Sequence, residues 1–169
     1  MKQRYTDKEL RERMSGLTVI CDTREQCNGH ILSAFAANKI PYKTQTLKTG
    51  DYSFAADGQY FDDEILVERK GSLDELAGNY TIDRERFERE FIRAKAQGIK
   101  VFLLIEDGSY TDIWRHNYIS KLAPKSLLAS LCAWQVRYNV TVLFCRKDES
   151  ATLIYTLMYH WYRERLING

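Results

Sequence analysis

Two acids and an amine stand within one short stretch of this chain. Asp51 follows Gly50, a polar turn follows at Asp57 and Gly58, and the run from Ile65 to Lys70 reads ILVERK. On a strand, successive side chains alternate, so Glu68 and Lys70 leave on one side and Arg69 on the other. A hairpin across Asp57-Gly58 is expected to return the chain so that Asp51 lies near Glu68. Carboxylates held together repel, and a divalent cation is the usual remedy. Oxygen ligands from two or three acids, completed by water, suit Mg²⁺, with Mn²⁺ as a substitute. An amine beside such an ion orients or deprotonates a water, or steadies charge on a phosphate, which is the chemistry of phosphodiester hydrolysis. Spacing alone describes a solvated hairpin with ordinary surface charges equally well.

The fuller strings narrow the choice. Gly50-Asp51, then Glu68-Arg69-Lys70 and Asp74, resemble the nuclease domain of the XPF family of structure-specific endonucleases, whose hallmark is Gly-Asp followed by Glu-Arg-Lys-x-x-x-Asp. The run from Val19 to Glu25 (VICDTRE) is similar to the family's first strand, which ends in Asp-x-Arg-Glu. The resemblance implies an α/β, restriction-endonuclease-like (PD-(D/E)xK) core with a mixed central sheet flanked by helices. It implies a metal-dependent DNA endonuclease acting on branched or flapped DNA in repair, recombination or replication. Asp51, Glu68 and Asp22 are then the metal ligands, with a backbone carbonyl near Arg69. Lys70 positions the water or the phosphate. Arg69 belongs to the catalytic motif, but strand alternation turns it toward an acid or a bracing role. Asp22, Asp74, Arg24 and Glu25 stand behind the site, Arg24 on a phosphate or paired with a carboxylate.

Composition sets limits. At 169 residues the chain is expected to hold one domain, residues 17–169, preceded by an N-terminal extension, residues 1–16. The net charge of +2 announces no nucleic-acid binder, so any such surface must be local. Apolar runs such as Val101 to Ile105 are too short to span a membrane, and the charged N-terminus is no secretory signal. An intracellular protein is expected, cytoplasmic in a bacterial or phage setting and nuclear in a eukaryote. Cys21, Cys132 and Cys145 lie in apolar segments and read as reduced core thiols; with Cys27 they form no CxxC pair, which argues against zinc. No G-x-S-x-G elbow or phosphate loop is present, and His30, His116 and His160 lack zincin spacing.

The elements that must position the acids follow in order. A helix over residues 5–15 has a capping box at Thr6 and Glu9 and a stop at Gly16. Strands are expected over Leu17–Asp22 and Tyr42–Leu47, with a helix over Gly29–Lys39 between them, buried through Ile31, Leu32 and Phe35. Ser72 and Glu75 cap a short helix over Leu73–Ala77; Asp74 sits in its first turn, where an acid suits the helix dipole and could also brace Lys70. The helix over Asp83–Gln97 pairs an apolar stripe (Phe87, Phe91, Ala94) with a basic one (Arg86, Arg89, Arg93). That basic stripe is either a DNA-backbone track or a solvated face with ion pairs.

Ile99–Glu106 is a buried strand. Residues 109–122 interleave aromatic and basic side chains, which suits base stacking and equally a loop tucked over the core; the tucked loop is expected. Pro124 opens a helix with Leu127, Leu128, Leu131, Gln135 and Tyr138 at helical spacing. Val140–Cys145 is a strand, and Ser150–Ile167 a final helix. That helix carries one face of Leu153, Ile154, Leu157, Met158 and Trp161 and another of Tyr155, Tyr159 and Tyr162. Through it the resemblance implies a homodimer, or a heterodimer with a partner subunit. The helix-hairpin-helix modules of many family members are not found, so tight DNA binding is expected to come from such a pairing or from the loops. The rival reading is a non-catalytic DNA-binding or scaffolding subunit of a nuclease complex. A weaker third is a nuclease acting on RNA, or on DNA with sequence preference.

Overall fold

A computed structural model describes residues 5–82 and 84–169. The chain forms two compact units, residues 1–62 with 151–169, and residues 63–150.

In the first unit, α1 (Asp7–Ser15) starts at the expected capping box, with Thr6 accepting from the Glu9 amide, and ends at Gly16. Met14 is buried and Arg13 lies 2.6 Å from Asp57, so this helix packs within its unit. Then come β1 (Thr18–Cys21), α2 (Gly29–Ala37), β2 (Tyr42–Thr44), β3 (Tyr52–Ala56) and β4 (Gln59–Tyr60). β1 runs parallel to β2 and antiparallel to β3, giving a mixed arrangement. Asp57 and Gly58 both have positive φ, 51° and 75°, as a two-residue type I′ hairpin requires. That hairpin pairs β3 with β4, Ala56 opposite Gln59.

α7 (Ser150–Asn168) contributes residues 151–169 to this unit. Phe54 stacks on Phe61 at 4.6 Å, and Trp161 and Tyr162 pack against both rings. Ala151, Ile154, Met158 and Tyr162 are its buried positions here, a stripe that takes one residue from the tyrosine face.

In the second unit, β5 (Ile65–Lys70), β6 (Lys100–Glu106) and β7 (Val140–Cys145) run parallel, with Lys70 opposite Ile105 and Glu106 opposite Cys145. Between them lie α3 (Leu73–Ile82), α4 (Arg84–Ala96), α5 (Tyr110–Trp114) and α6 (Pro124–Tyr138). Asp83, expected to open the α4 helix, lies outside the described residues. Ile65, Leu66 and Val67 are all buried, as a parallel strand covered on both faces demands. Phe87 and Phe91 meet Trp134 edge-on at 5.2 and 5.6 Å, and Leu127 and Leu131 complete that core. Helical spacing sends these α6 residues inward and leaves Cys132 exposed, against the expectation of a core thiol. All four cysteines are free.

Candidate active site

The first unit gathers Asp22, Arg24 and Asp51. Asp22 follows β1 and is 2% exposed. Its Oδ1 accepts from the Arg24 amide at 2.9 Å and from Arg24 Nε at 2.7 Å. Its Oδ2 accepts from Arg24 Nη2 at 3.1 Å and from the Leu47 amide at 2.6 Å. A carboxylate offers about four acceptor positions, and these bonds use them. Burial raises the pKa of Asp22, but the Arg24 side chain, the Leu47 and Arg24 amides and the Arg24 charge outweigh it and hold the carboxyl below its usual range. Arg24 Nη2 also donates to the Leu47 carbonyl at 2.9 Å, tying the end of β1 to the segment that leads to Gly50-Asp51. Gly50 has φ 75°, a left-handed conformation that glycine adopts at little cost. The Asp51 carbonyl then accepts the Asp22 amide at 2.8 Å, and its half-buried side chain stands at the start of β3. Glu25 is half-exposed at the turn after Asp22.

The second unit gathers Glu68, Lys70 and Glu75. Alternation on β5 sends Glu68 and Lys70 the same way, and Lys70 Nζ lies 2.9 Å from Glu68 Oε1. Lys70 is 7% exposed, 3.7 Å from Glu75 Oε1, and sits 4.9 Å above the Phe87 ring. Glu75 Oε2 accepts the Gly71 amide at 2.8 Å, which fixes the turn from β5 into α3. Arg69 goes the other way and donates to Glu106 Oε2 at 2.8 Å; the two side chains are 4% and 0% exposed. Glu106 Oε1 accepts from the Ser150 hydroxyl at 2.5 Å, so Arg69, Glu106 and Ser150 form one buried polar group.

Asp74 is directed elsewhere than Lys70. Its Oδ1 accepts the amides of Ile119 and Ser120 at 2.7 and 3.1 Å, and Glu75 is the α3 acid that joins Glu68 beside Lys70. Arg86, Arg89 and Arg93 all lie on the exposed side of α4, opposite buried Phe87, Phe91 and Ala94. Arg89 is 3.9 Å from Glu85, an exposed pair of small energetic weight. Among the described residues no three His, Cys, Asp or Glu side chains form a metal-ligand group by themselves. Glu75 was expected only as a helix cap and not beside Lys70, and Glu106 was not singled out by motif or spacing. Glu106 carried a usable signal: an acid that ends an apolar strand needs a cation where it is buried, and strand alternation already turns Arg69 toward an acid or a bracing role.

The ERCC4 domain family model matches residues 21–157. XPF from Aeropyrum pernix has a similar structure, with 23% identity and a TM-score of 0.63, over 88% of this chain and 63% of that one. The Aeropyrum pernix protein in complex with DNA is similar at 22% identity and the same TM-score, over 88% of this chain and 66% of that one. The chain thus spans slightly less than two thirds of the length of either. No curated protein matches it. These likenesses show the fold, and the α/β restriction-endonuclease-like architecture expected from the motifs is the one found.

Proposed function

Because this chain belongs to the ERCC4 domain family, we propose that it is a divalent-metal-dependent DNA endonuclease acting at branched or flapped DNA. The observation that carries the reading is on β5: Glu68 and Lys70 are joined at 2.9 Å on one side, while Arg69 is sequestered by Glu106 on the other. A strand that separates these residues so cleanly leaves an acid and an amine, and not the guanidinium, for the reaction.

The donor chemistry fits Mg²⁺ or Mn²⁺. Asp51 and Glu68 are half-buried carboxylates, and a hard cation held by two such acids keeps waters of its own. Bound there, the ion would lower the pKa of a water and offset charge on the attacked phosphorus. Lys70 holds Glu68 in orientation and places its ammonium group for a water or a phosphate oxygen. Asp22 and Arg24 keep the segment before Asp51 in place. Arg86, Arg89 and Arg93 are assigned to the phosphate backbone. Two copies pair through the outer side of α7, where Tyr155 and Tyr159 are half-buried with ring centroids 6.0 Å apart. No helix among the described residues is long and apolar enough to cross a membrane, and an intracellular site of action fits a DNA substrate.

The test is incision of 5′-labelled flap, fork, four-way-junction and plain duplex DNA with Mg²⁺, Mn²⁺ or EDTA. Metal-dependent cuts near branch points, abolished in Asp51→Ala and Lys70→Ala, support the proposal. Binding without incision in either metal replaces it with a scaffolding subunit.

A further inference from the structure

The segment leaving the carboxyl end of β6 is tied down at its backbone and apolar at its surface. Ser109 caps α5, accepting the Asp112 amide at 3.1 Å. Asp112 in turn receives the Ser109 hydroxyl and, at 3.0 Å, the Asn117 side-chain amide. A His116 ring nitrogen meets the Ser120 carbonyl at 2.8 Å, and the Tyr118 hydroxyl donates to the Leu122 carbonyl at 2.7 Å. Asp74 clamps the amides of Ile119 and Ser120. Ile113 is fully buried, and Tyr118 and Leu122 pack on the core. The loop is thus anchored over the core, as expected, yet Trp114 is 59% exposed, Ile119 91% and Tyr110 41%. Tyr110 packs its ring against Phe144 at 4.8 Å, which leaves Trp114 and Ile119 as the large apolar side chains that one anchored loop shows to solvent, as a contact surface does.

The charge around them selects the partner. Arg115 and Lys121 are exposed within the same segment and Lys125 just after it, while its one acid, Asp112, and the Asp74 carboxylate beneath it are both engaged in hydrogen bonds. An indole face with cations beside it matches an unpaired base and its phosphate, whereas a paired duplex keeps its base faces stacked inside. The place also fits. Lys70 and Ile105 are register partners on parallel strands, so the chain departs β6 at the same carboxyl end where β5 delivers Lys70, and α/β sheets bind ligands beyond the carboxyl ends of their strands.

We infer that Trp114 and Ile119 form a stacking platform for unpaired nucleotides, with Arg115 and Lys121 on the adjoining phosphates. This rests on the nuclease reading and supplies its preference for branched over plain duplex DNA. It also gives Asp74 a role, since the acid that closes the motif holds the platform beside the strand that carries Glu68 and Lys70.

The experiment is fluorescence-anisotropy titration in EDTA, with labelled oligothymidylate and a plain duplex of equal length as probes. Trp114→Ala is expected to weaken oligothymidylate binding roughly tenfold, the loss of one stacked base, and to leave duplex binding nearly unchanged. Trp114→Phe keeps a ring and restores most of the affinity. The pair Arg115→Ala and Lys121→Ala weakens both probes and reduces the salt dependence. Wild-type affinity for oligothymidylate in Trp114→Ala, or an equal loss on both probes, overturns the inference. A protein that binds unpaired DNA through Trp114 but cuts nothing removes the nuclease reading and leaves the platform. One that cuts branched DNA with unaltered Trp114→Ala binding removes the platform alone, as does wild-type protein that cuts branched DNA but does not bind oligothymidylate.

Discussion

Arg69→Met is expected to destabilise the protein more than a substitution of an exposed residue does. The guanidinium and the Glu106 carboxylate are 4% and 0% exposed and 2.8 Å apart, so neither has bulk water to replace its partner. Removing one member of such a pair costs about 3–5 kcal/mol, chiefly because a buried charge loses its counter-charge. With a urea m value of about 2 kcal/mol/M, the unfolding midpoint falls by roughly 1.5–2.5 M. Intrinsic fluorescence in a urea titration reads this, since Trp134 is buried in the same unit. The informative comparison is the double variant Arg69→Met with Glu106→Gln. It removes both charges, keeps an acceptor for the Ser150 hydroxyl, and should recover most of the loss, to within about 1.5 kcal/mol of wild type, because a buried pair exchanged for neutral groups is often near neutral. The reasoning is refuted if Arg69→Met costs less than about 1 kcal/mol, or if the double variant loses the sum of the two single changes.

Lys70→Ala is expected to lower incision by roughly 10²–10³ at saturating metal, measured as single-turnover rate on flap DNA, if the amine acts at the phosphate. Asp22 has a depressed folded-state pKa, so its contribution is fully present above the unfolded value, about 3.9, and is lost as pH falls through the lower folded one. Asp22→Asn should therefore destabilise at neutral pH and flatten the acid limb of a stability-versus-pH curve below about pH 4, read by urea titration at stepped pH. Asp74→Ala frees the amides of Ile119 and Ser120 at a cost of roughly 1 kcal/mol, and hydrogen exchange at those two amides should quicken while that of β6 stays slow.

Features set by neighbours along the chain were legible from local signals alone. The capping box at Thr6 and Glu9, proline opening α6, and β7 over Val140–Cys145 stand where those signals put them. So does the parting of Arg69 from Glu68 and Lys70, because strand alternation is a property of the backbone alone. Local reading fell short at the far end of α3, which runs on to Ile82, past the short helix its cap announced.

By itself the sequence determined which side chains are available for chemistry and which way each must leave its strand or helix, since the periods of 2 and 3.6 residues are fixed by backbone geometry. Only the tertiary structure decided who meets whom. Arg69 finds Glu106 and Asp74 finds Ile119 and Ser120 across long separations in the chain, through strand register and loop path that no short window encodes. It also decided that Trp114 and Ile119 face solvent on an anchored loop, because Ile113, Tyr118 and Leu122 take the core positions of that segment.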